Sequence, residues 1–159
     1  MTMHLRHPGR LAALALVVLL APPLRHALES SMTAQMLLQL PLLIGVGGLL
    51  AQALPAPLLA RIARWNHLGI SGLVLASVAS AFWMLPRALD ASVTEPLVAA
   101  AKYLSLPLLV GLPFALSWPR MNFIVRGMFL LEFIATFFRL GGLYLISPER
   151  LCNLYLLDD

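Results

Sequence analysis

Long apolar runs separated by short charged stretches dominate the hydrophobic pattern of this chain. Four of them, Met32–Leu54, Leu68–Leu85, Leu97–Trp118 and Phe123–Ile146, are close to the roughly 20 residues an α-helix needs to cross about 30 Å of hydrocarbon. A fifth, Leu11–Leu24, is shorter. Its basic leader, with Arg6 and Arg10, looks like a secretory signal, but Leu24, Arg25, His26 and Ala27 follow where a small-residue cleavage site belongs. It therefore reads as an uncleaved first helix, and the pattern predicts an all-α, polytopic transmembrane bundle of about five spans in one domain covering residues 1–159.

The charges between the runs give an orientation. Alternate loops place Arg6, Arg10, Arg61, Arg64, Arg120 and Arg126 on one side with no acid. The other side holds Arg25, Arg87 and Arg150 together with Glu29, Asp90, Glu95, Glu149, Asp158 and Asp159. By the positive-inside rule the first set is cytoplasmic, so the N-terminus is expected inside and the C-terminus outside a bacterial inner membrane. The composition agrees: 60% of the 159 residues are hydrophobic, 11% are charged and the mean hydropathy is +0.88, beyond what a soluble core can enclose. The formal charge of +4 does not suggest nucleic acid, because the basic residues sit at the ends of apolar runs and not in one stripe.

Packing signals lie within the runs. Gly72, Ala76 and Ser80 follow i+4 spacing and would admit a neighbouring helix closely, as would Gly45, Gly47 and Gly48. Pro41, Pro107 and Pro113 predict kinks or locally irregular turns. Phe82, Trp83, Met84 and Trp118 close two runs, as interfacial aromatics do.

No hydrolase, zincin, Walker or Rossmann pattern is present, and the single cysteine, Cys152, excludes an intrachain disulfide or a CxxC motif. A non-enzymatic protein is expected. Three features carry candidate chemistry. The second run opens with two methionines and two glutamines. If its helix starts near His26, then His26, Glu29, Met32 and Met36 share about 120° of arc, a stripe whose imidazole and thioethers suit copper. Methionines at this spacing also serve as adaptable packing residues. A second candidate is the intramembrane set Lys102, Glu132 and Arg139, which reads either as an anion, substrate or ion site or as a structural ion-pair network. Glu132 and Arg139 are about 10 Å apart along a helix axis, at about 1.5 Å per residue. The third is the tail Ser147–Asp159, whose Leu151, Leu154 and Tyr155 can form a short amphipathic turn.

The stretch Met32-Thr33-Ala34-Gln35-Met36-Leu37-Leu38, followed by Pro41-Leu42-Leu43, resembles the entry helix of CtaG-like cytochrome c oxidase assembly proteins. Leu157-Asp158-Asp159 is similar to the acidic stretch before that family's last helix. The resemblance covers about twenty residues. Met36 stands where the family has a histidine, and the spans are fewer. It implies a bacterial inner-membrane protein working beside a haem-copper oxidase, in copper handling or as an accessory subunit, with oxidase subunits and the lipid bilayer as partners. Two other readings stay open: a small transporter using Lys102, Glu132 and Arg139, and a purely structural subunit.

Overall fold

In a computed structural model of the chain, residues 7–31 and 34–146 are described, and among them every regular element is helical. The helices are α1 (Pro8–Leu20), α2 (Pro22–Glu29), α3 (Gln35–Ala53), α4 (Ala56–Trp65), α5 (Ile70–Trp83), α6 (Pro86–Thr94), α7 (Pro96–Arg120) and α8 (Phe123–Ile146). Proline explains most of the boundaries. α1, α2, α6 and α7 each begin on one, where the missing N–H is no loss and the fixed φ already suits a helix.

Among the described residues the expected five spans are matched in part. α3 and α7 are each long and apolar enough to cross a membrane, and the number rises to four if two bent pairs each count as one span. The expected first run, Leu11–Leu24, is divided: Ala21 is extended before Pro22 and Pro23, and α2 leaves α1 at 68°. The expected run from Leu68 begins as helix only at Ile70. Gly69 there takes a left-handed φ of 75°, and α4 meets α5 at 89°. A Cβ on Gly69 would lie 2.6 Å from the Ser117 carbonyl, so the corner needs glycine twice over.

α3 is central, packing against α1 on one side and against α7 on the other, while α5 and α6 also lean on α7. The α3–α7 crossing is a backbone contact. A Cβ on Gly47 would collide with the Pro107 carbonyl oxygen, and one on Gly111 with that of Ile44. Such closeness lets long apolar helices gain dispersion contact where no water drives them together. Both helices are locally widened, at Gln35–Gln39 in α3 and Leu106–Gly111 in α7, as π-helical turns next to Pro41 and around Pro107. Gly72 and Ala76, on the small-residue ridge, are buried, and Gly72 faces Ser117, Asn66 and Pro113.

Beside an apolar core, the interior holds several polar side chains while many large apolar ones face outward. Gln35, Gln39, Asn66, Ser92, Lys102 and Ser117 are buried, whereas Leu14, Val17, Leu37, Leu42, Val74, Val78, Phe82 and Leu104 are exposed. Apolar surface on this scale suits an apolar surrounding, and several polar groups that a bilayer would reject are held inside. Helices of this length and apolarity are consistent with a membrane protein.

Two polar networks tie the helices together. One fixes the α4–α5 corner to α7: Asn66 Nδ2 donates to Ser117 Oγ at 2.8 Å, and its Oδ1 accepts from the Gly72 N–H at 3.0 Å. The other is the candidate site. α8 is attached differently, through rings near its start, with Phe129 5.5 Å from Phe114 and Arg126 over Trp118.

Candidate functional site: a buried ionic node between α2, α3 and α7

α2 delivers Arg25 and Glu29 one turn apart, the π-helical turn of α3 delivers Gln35 and Gln39, and the second turn of α7 delivers Lys102 and Tyr103. Because Gln35 and Gln39 are four residues apart, both fall on the helix face that looks inward, and both are fully buried. Glu29 is the hub. Its Oε1 accepts from Lys102 Nζ at 3.0 Å, from Tyr103 OH at 3.3 Å and from Gln39 Nε2 at 3.3 Å, while its Oε2 accepts from Arg25 Nε at 2.9 Å. Gln39 completes the ring: its Oε1 accepts from Lys102 Nζ at 3.0 Å and its Nε2 donates to Tyr103 OH at 2.8 Å. Lys102 is 0% exposed and the Glu29 side chain 7%.

An ammonium sealed in this way persists only with compensation, and here a carboxylate and an amide oxygen supply it, with the Tyr103 ring 5.4 Å from Nζ. Arg25 lies at the rim, 34% exposed, with its guanidinium 5.9 Å from the centre of the same ring. The node therefore gathers two cations around one carboxylate. A satellite contact, Gln35 Nε2 to Ser92 Oγ at 3.3 Å, extends it to α6. The arrangement is an enclosed electrostatic clamp on three helices, with an unbalanced positive charge at its edge.

The structure redistributes the sequence-derived candidates. Lys102 is bonded to Glu29 and Gln39 and not to Glu132 or Arg139, whose guanidinium and carboxylate pair with each other along α8. That helical pair is open, at 69% exposure for the Glu132 side chain and 65% for Arg139. The long side chains bend to close the seven-residue gap, and Thr136 lies between them. The proposed copper stripe required one helix from His26 to Met36, but α2 ends at Glu29 and Ser30 and Ser31 form bends. His26 is exposed on α2, and Met36 packs against the apolar core from α3. Met32 and the tail with Cys152 lie outside the described residues. Among the described residues no group of three or more His, Cys, Asp or Glu side chains is placed to hold a metal ion, and His26 and Met36 stand on separate helices.

Sequence reasoning passed over Gln39 and Tyr103 and gave Glu29 a different partner. A glutamine pair at i, i+4 inside an apolar run was the available signal, since both amides have to find partners away from lipid. The protein-family models, the curated proteins and the solved structures give no match to this chain.

Proposed function

We propose that this chain is a non-enzymatic, multi-pass inner-membrane protein that accompanies a larger membrane assembly as an accessory or assembly subunit, docking laterally through α8. The observation that carries the reading is the open Glu132–Arg139 pair. α8 has 24 residues, and at about 1.5 Å each they exceed the roughly 30 Å of a bilayer core. Glu132 and Arg139 fall in its interior, among exposed Met128, Leu131, Phe133 and Phe138. A charged pair turned to lipid costs several kcal/mol even when the two charges meet, whereas a neighbouring protein surface with polar groups removes that cost. Within this chain nothing described covers the pair.

The local resemblance of Met32–Leu43 to CtaG-like proteins nominates a haem-copper oxidase as the assembly. Copper handling by this chain is the less supported part of that resemblance, because His26 and Met36 stand on separate helices. A transporter built on Lys102, Glu132 and Arg139 is also less supported, because the first is sealed in the node and the others face outward.

The test is native purification of the tagged protein in a mild detergent, with mass spectrometry of accompanying chains and metal and haem analysis of the same fraction. Oxidase subunits in near-equal amounts, with copper following them and not this chain, are the expected result. A solitary protein overturns the accessory reading. A different membrane complex overturns the oxidase assignment alone.

A further inference from the structure

Beside the ionic node, where α1 ends and α7 begins, a cavity of about 240 Å³ opens to the outside. Its wall combines the rim cation Arg25, Tyr103 and Thr94 with apolar surface from Leu20, Ala99 and Ala100. We propose that this cavity binds the oxyanion headgroup, phosphate or carboxylate, of a membrane amphiphile.

Charge supports this first. The node holds two cations and one carboxylate, and the cation facing the cavity is the partly exposed one. Among the described residues Arg25 donates only through Nε, to Glu29, so its terminal nitrogens are available for a further acceptor. A guanidinium fork of this kind suits phosphate and carboxylate oxygens. Position supports it as well. The first turn of α7 borders the cavity through Pro96 and Ala99, which stand beside Arg25 and Thr94 in its wall. The exposed acid Glu95 lies outside the lining. Size narrows the ligand: drug-sized ligands occupy pockets of roughly 300–1,000 Å³, so this cavity accepts a headgroup and not a whole lipid. The chain would continue over Leu20 and Leu104, which are 43% and 58% exposed.

The test uses the full chain in detergent, followed by tryptophan fluorescence on heating. Phosphatidylglycerol in mixed micelles is expected to raise the melting temperature saturably, and phosphatidylcholine to leave it unchanged. Ala100→Phe fills the cavity from an exposed position and removes none of the node's hydrogen-bonding groups. It should keep the melting temperature of the lipid-free protein and need about tenfold more phosphatidylglycerol for the same rise. Thr94→Ala, also outside the node, is the second variant and should weaken the response in the same direction. Equal stabilisation by both lipids, or an unchanged response in both variants, overturns the proposal. Inorganic phosphate separates the sources. A rise with phosphate that Ala100→Phe weakens supports the oxyanion site with a free anion as ligand, and a rise with phosphatidylglycerol alone supports the lipid headgroup. The measurement is made on the isolated chain, so it stands whether or not a partner complex is found.

Discussion

Replacing Glu29 by glutamine is expected to destabilise the folded protein by about 3–5 kcal/mol, the range for removing one member of a buried ion pair. The substitution leaves Lys102, at 0% exposure, as an enclosed ammonium whose remaining bonded partners are neutral. Lys102→Met should cost less, because Glu29 then keeps Arg25 as its counter-ion. Combining Glu29→Gln with Lys102→Met should recover more than half of the loss, since the stranded charge is gone. Arg25→Gln, at a rim position, is expected to cost about 1 kcal/mol or less, as partly solvated pairs do. Melting temperatures in detergent at one fixed scan rate give this ranking. A Glu29→Gln protein that melts with the wild type would show that the node is not the clamp described above.

The second large effect is steric. Gly111→Leu is expected to abolish recovery of monodisperse protein, and Gly47→Leu to do the same, because each side chain would begin inside the backbone of the opposing helix. Separating α3 from α7 also pulls Gln39 from Lys102 and Tyr103, so the packing defect and the polar defect add. Even Gly111→Ala should lower the melting temperature. Gly45→Leu is the control: it lies on α3 two residues from Gly47, but a Cβ there meets nothing within 4 Å. Size-exclusion profiles of the four proteins decide the matter, and a Gly111→Leu protein that elutes like the Gly45→Leu control would contradict the close crossing.

The all-helical, strongly apolar character was legible because it rests on run length and apolar content, both local properties. The crossings at Gly47 and the burial of Gly72 and Ala76 follow from small residues at helical spacing. The breaks at Pro22–Pro23 and Gly69 were harder to place, since hydropathy continues across them while the backbone turns. Those turns matter for the site. The bend after α1 carries Arg25 and Glu29 back over α3 and α7, which joins residues more than sixty positions apart in sequence. Hydropathy assigns Lys102 to a membrane helix but cannot choose its counter-ion. The sequence grouped it with Glu132 and Arg139 as charges inside the apolar runs, whereas the fold pairs it with Glu29. The methionine stripe rested on a similar assumption, a helix continuous through Ser30 and Ser31, where the chain bends.

The most direct measurement on the accessory role is a comparison of the wild type with a Glu132→Leu/Arg139→Leu double variant in the same native purification. Removing both charges makes α8 more compatible with lipid and leaves the bundle core untouched, since the pair is exposed on its own helix. The expected result is a folded, membrane-inserted variant with an unchanged melting temperature that no longer retains the oxidase subunits found with the wild type. Retention of those subunits at wild-type amounts would contradict docking through α8.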